Sequence, residues 1–164
     1  MGKIKRIRVK SNIPTSKPGI GPGLLEISDS DLKPKIMMRS YNNETYLEAE
    51  IKDYAEIDEQ IAKNPKLTHW INVQGLGDLK LFEYLEQKFK IHRLILEDII
   101  SSRQRPKLDE SDGYLFAVSR FLYINKELEI ENEQLSFLLL PQVIISFQQT
   151  YHPCFNSVVN RLNA

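Results

Sequence analysis

Tyr114-Leu115-Phe116-Ala117-Val118-Ser119-Arg120-Phe121-Leu122-Tyr123-Ile124 is the stretch on which the fold turns. It is dense in β-branched and aromatic residues, too long for a turn and without a helical stripe, so it reads as a strand. Two further runs, residues 127–140 and 143–147, have the same character, with turns near Asn125-Lys126 and Pro141-Gln142. Three consecutive strands joined by short turns make an antiparallel meander. Upstream the period changes. After Asp78, a helix cap, Leu79, Phe82, Leu85 and Phe89 recur at three and four residues, with Lys80, Glu83, Glu86 and Lys90 between them, which predicts a helix with one apolar stripe. A second short helix over 94–100 carries Leu94, Ile95 and Ile99 inward and stops at Ser101-Ser102. Earlier still, residues 36–42 and 45–52 read as a hairpin turned by Asn42-Asn43-Glu44 with a left-handed residue. Residues 56–64 follow as a helix stopped by Asn64-Pro65, and 67–73 as a short strand. The end, 153–162, opens another helix. Helices interspersed early and strands clustered late predict an αβα sandwich on a mixed sheet.

At 164 residues the chain has the length of one ordinary domain, and its 41% hydrophobic and 27% charged residues are those of a globular protein. We divide it into an irregular lead-in, 1–34, rich in Pro and Gly, and an α/β domain, 35–164. Lys+Arg and Asp+Glu stand at 22 each, so no net field favours nucleic acid as a partner. The one basic run, residues 3–10, reads as a tail or an edge strand, and Gly19-Ile20-Gly21-Pro22-Gly23 lacks the strand before and the Lys-Ser/Thr after that a phosphate loop needs. Cys154 is alone and expected to be a partly buried hydrophobe. The longest nearly apolar stretch, 135–147, is about 13 residues against the roughly 20 that a membrane helix requires, and the start has no secretory leader. No nucleophile elbow, Walker loop or HExxH is present, so an enzyme is not expected.

Beyond these patterns stand motifs in a fixed order: Trp70-Ile71-Asn72, Leu96-Glu97-Asp98-Ile99, Gln104-Arg105-Pro106-Lys107, Tyr114-Leu115-Phe116, Glu133-Gln134-Leu135-Ser136-Phe137 and Phe147-Gln148-Gln149. In order and approximate spacing they resemble the N-terminal cytoplasmic domain of the CorA family of magnesium and cobalt transport proteins. Arg93 stands where the family has Pro, and Asn156-Ser157 where it has Asp-Pro. The resemblance implies a cytoplasmic, soluble regulatory domain at the inner face of the cell membrane. It also implies a homopentamer anchored by stalk and membrane helices beyond Ala164, with Mg2+ as regulatory ligand and transported ion, and Co2+ as a second cargo. Two other readings are a zinc-transporting relative of the same family and a free-standing binding module.

By that resemblance Asp98, with Glu97 second, is the metal-sensing pair. Adjacent on a helix, their side chains diverge by roughly 100° and cannot clamp one ion. An ion shared with a neighbouring subunit's carboxylate suits Mg2+, which keeps several waters and takes one or two carboxylates. Cytosolic Mg2+ in the family holds the pentamer closed. Glu127, Glu129, Glu131 and Glu133 alternate and are expected to form a solvated acidic stripe on one strand face. His69, His92 and His152 are too dispersed for a local metal site and are read as structural, and Trp70 and residues 114–116 as core. Arg105 and Lys107, flanking Pro106, are a minor candidate for holding phosphate.

Overall fold

A computed structural model describes Leu25, Ile27, Ser28 and residues 31–101 and 104–163; the basic run 3–10 and the glycine-rich 19–23 lie outside these. The chain begins with a hairpin, β1 (Lys35–Tyr41) and β2 (Tyr46–Ile51). No residue between them has a positive φ. Instead the Asn42 side chain makes the turn, its Oδ1 accepting from the Glu44 and Thr45 amides at 2.9 and 2.8 Å, so the expected left-handed residue is not needed. Helix α1 (Tyr54–Lys63) is capped by Asp53, whose carboxylate accepts from the Ala55 amide, and ends at Asn64 before Pro65. β3 (Thr68–Gln74) follows, then α2 (Leu79–Phe89) capped by Asp78 and closed by Lys90 in the left-handed region, and α3 (Arg93–Ile100) capped by His92. The remainder is β4 (Lys107–Ser111), β5 (Tyr114–Ile124), β6 (Ile130–Leu140), β7 (Val143–Gln148) and α4 (Asn156–Leu162).

The seven strands form one mixed sheet in the order β2-β1-β3-β7-β6-β5-β4, in which β3 and β7 run parallel and every other pair antiparallel. The expected αβα sandwich and late meander are therefore present, but β4 was not foreseen. It pairs with β5 through the two-residue connection Asp112-Gly113, with Gly113 at φ 90°.

Register assigns each face its chemistry. Met38, Ile71, Ile145, Leu138 and Phe116 are partnered in one row across five strands, each at most 1% exposed, and Asp109 of β4 continues that row. The next row on the same face holds Ile36, Val73, Phe147, Ser136 and Val118 and reaches Lys107. Against these rows α1, α2 and α3 bury Ile57, Leu81, Phe82, Leu85, Leu96 and Ile99 in one apolar cluster. Each large apolar side chain so buried contributes about 1.5–3 kcal/mol. The helical stripes are rotated from expectation: Leu79 and Leu94 are exposed, while Leu81 and Leu96 point inward.

Residues 150–155 lie against the opposite face. Trp70 donates from Nε1 to Ser146 Oγ at 2.9 Å, Ser146 donates on to Asn72 Oδ1 at 2.8 Å, and Phe155 packs edge-on against both Trp70 and Phe137. The expected acidic stripe does not form on one face. β6 starts only at Ile130, the Glu127 and Glu129 amides donate to Asn125 Oδ1 within the turn, and Glu133 is buried, accepting from the Thr150 amide and hydroxyl at 2.7 and 2.9 Å.

Candidate functional site

The two rows on the helix-covered face run out of apolar residues at the edge strand, and there the last turn of α3 brings in Asp98. Its Oδ1 accepts from Gln104 Nε2 and its Oδ2 from Lys107 Nζ, both at 2.7 Å. Lys107 Nζ also lies 2.8 Å from Asp109 Oδ2 and 5.3 Å from the centroid of the Phe116 ring. One ammonium thus sits between two carboxylates over an aromatic face, an arrangement favourable to a cation on all three sides. Burial works against the charged Lys107, but the Asp109 and Asp98 carboxylates more than offset it and hold its pKa above the ordinary lysine value.

Gln134 of β6 ties the cluster to the sheet. Its Nε2 donates to the Asp98 carbonyl at 2.9 Å and contacts Ser136 Oγ, and its Oε1 accepts from the Gln104 amide at 3.0 Å. Gln104 and Lys107 of the Gln-Arg-Pro-Lys motif therefore act together as a clamp on the end of α3. Arg105 is exposed. The phosphate reading of Arg105 and Lys107 is corrected by this geometry, because an anion reaching Lys107 would meet Asp98 and Asp109.

Asp98 is placed at the sheet edge with its side chain 25% exposed. Glu97 is half-buried one residue earlier, its carbonyl accepting from the Ser101 amide that ends the helix, and the helical turn directs the two side chains apart by about 100°. Among the described residues no three His, Cys, Asp or Glu side chains stand together as a metal site. The ligand atoms near Asp98 are hard carboxylate and amide oxygens, which fit Mg2+ in type, but among the described residues they are too few to hold an ion.

The histidines serve structure. His69 is 1% exposed and shares a 2.7 Å hydrogen bond with Ser40 Oγ, His92 caps α3, and His152 stacks on Tyr123 at 4.0 Å. Cys154 is half-buried with its thiol directed at Gln148 Oε1, and burial pushes its pKa up to about 11, which keeps it protonated and inert. Sequence reasoning singled out Asp98 and the Gln-Arg-Pro-Lys motif but missed Asp109 and Gln134 as partners. The signal for Asp109 was the Asp112-Gly113 turn, which doubles β4 back along β5.

Residues 66–164, more than half of the chain and the whole of this cluster, match the family described as CorA-like Mg2+ transporter protein. The chain belongs to that family. It is 28% identical over 152 residues to the cobalt/magnesium transport protein CorA of Thermotoga maritima, an alignment covering 90% of this chain and 42% of that protein. The chain thus spans less than half the length of that CorA relative. Two solved structures share the fold. The full-length CmaX protein has a TM-score of 0.61 at 15% identity, covering 82% of this chain and 41% of CmaX. The ZntB cytoplasmic domain from Vibrio parahaemolyticus has 0.58 at 12%, covering 80% and 50%. Among the described residues no helix is long and apolar enough to cross a membrane.

Proposed function

We propose that this chain is the cytoplasmic, Mg2+-sensing part of a homopentameric divalent-cation channel, with Mg2+ as both regulatory ligand and cargo and Co2+ as a second cargo. The observation that carries this reading is Asp98 itself. A partly exposed carboxylate is held by Gln104 and Lys107 at the end of a helix and at the edge of the sheet, in a CorA-family chain whose described residues supply too few ligands for an ion by themselves. In the assembled protein Asp98, with Glu97 second, would face a carboxylate of the next subunit. Two carboxylates about 4 Å apart repel by roughly 4 kcal/mol at an effective dielectric near 20, and a divalent cation between them turns repulsion into attraction. Occupancy would then hold neighbouring subunits together, and ion loss would release them, biasing a bistable interface. The membrane would be crossed by parts of the protein outside this chain.

The test is Asp98→Asn in the full-length protein. Mg2+ uptake is expected to persist at internal Mg2+ that shuts the wild type, because the amide keeps the shape of the side chain but removes the charge that the ion would bridge. Normal shut-off would remove Asp98 from the sensing role. Uptake measured with Mg2+, Co2+ and Zn2+ in competition decides the cargo; a clear preference for Zn2+ would favour the zinc-transporting alternative.

A further inference from the structure

The seat beside Asp98 is filled from within the chain. Lys107 Nζ makes two ion pairs of nearly equal length, 2.7 Å to Asp98 and 2.8 Å to Asp109, and lies against Phe116. We propose that Lys107 is a tethered counter-cation that competes with Mg2+ for Asp98 and so sets the Mg2+ concentration at which the sensing site fills. The inference rests on the reading of Asp98 as the sensing carboxylate.

Three features make the exchange feasible. The Lys107 side chain is 31% exposed and Asp98 25%, so the ammonium can move and a hydrated ion can approach without opening the core. When Asp98 turns to an arriving ion, Lys107 keeps Asp109, so no buried charge is stranded, which is the costly outcome when a paired ion loses its only partner. Gln104, also on Asp98, donates from a neutral amide and does not compete as a cation does. Without Asp109 the lysine would be a simple partner of Asp98. With it, the ammonium has somewhere to go, and its departure from Asp98 is graded by Mg2+.

The experiment follows protection of the full-length protein from limited proteolysis as MgCl2 is raised, taking the concentration at half-protection. Lys107→Gln is expected to lower that concentration roughly two- to fivefold, the scale of a partly exposed ion pair. Lys107→Arg, which keeps a cation and offers a two-pronged donor to carboxylates, is expected to raise it. Asp98→Asn separates the two ideas. If it leaves the MgCl2 dependence intact, the sensing reading falls and this inference with it. If it abolishes the dependence while Lys107→Gln leaves the half-point unchanged or raises it, the competition alone is overturned. Should Lys107→Gln fail to fold by circular dichroism, the Arg variant decides, and a half-point unchanged or lowered overturns the proposal.

Discussion

Beneath α1, α2 and α3 the sheet presents Ile36, Met38, Ile71, Val73, Phe116, Leu138, Ile145 and Phe147, whereas beneath the C-terminal segment it presents Arg39, Trp70, Asn72, Gln74, Ser146 and Gln148. Both faces are shielded from water, but by different means. The first buries apolar area, which is strongly stabilising and without direction. The second pairs polar groups individually: the Gln74 and Gln148 amides both donate to the His152 carbonyl, Glu133 takes two donors from Thr150, and the Arg39 guanidinium lies over Trp70 with its Nε paired to Glu48 at 2.7 Å while its Nη1 is buried without a partner. Such bonds add little net energy each but are costly to leave half made, so they fix where the C-terminal segment lies more than they hold the domain folded. The Asp98 cluster sits where the apolar face meets the sheet edge and polar pairing takes over.

The contrast is broken most severely by Phe147→Ala. The ring is 1% exposed at the centre of the apolar face, and its loss leaves a cavity costing about 3–5 kcal/mol, read as a drop in the urea midpoint with unchanged slope. Glu133→Ala probes the other face. It removes the acceptor for the Thr150 amide and hydroxyl and is expected to cost about 1–3 kcal/mol. Its signature is regional, with proteolysis beginning after Gln148 before global unfolding. A loss as large as that of Phe147→Ala, without early cleavage, would mean that the polar face carries stability rather than placement.

How much of this could be read in advance followed the same division. The strands β5, β6 and β7 were legible because their apolar side chains state the period themselves, and α2 because Asp78 marks its start. β4 was not, since none of Lys107–Ser111 is buried and only Asp112-Gly113 betrays it. Leu79 and Leu81, or Leu94 and Leu96, are equally apolar, so the rotation of each helix is decided by the sheet it meets, not by its own stripe. The four alternating glutamates look alike in sequence. Thr150, seventeen residues beyond Glu133, is what separates that one from the others. Asp98 was visible as a motif residue, but its engagement with Lys107 and Asp109 depends on a strand pairing that local pattern does not contain.

The smallest effect sharpens the comparison most, because it concerns a titratable group on the apolar face. His69, in the row beside Ile71, has its pKa lowered by burial, which a contact with the Asn64 backbone offsets only in part. A histidine kept neutral in the fold but free to protonate when unfolded makes the unfolded state bind more protons in acid. Its contribution is therefore complete above the unfolded value of about 6.5 and is lost as pH falls below it, by at most about 1.4 kcal/mol per pH unit. Urea midpoints at pH 7.5 and 5.5 for the wild type and His69→Gln measure this directly. The glutamine variant is expected to start lower, having lost the geometry of the bond to Ser40, and to fall less steeply toward pH 5.5. Parallel decline of the two proteins would show that His69 protonates within the fold, and hence that the apolar face admits water at its β1–β3 end.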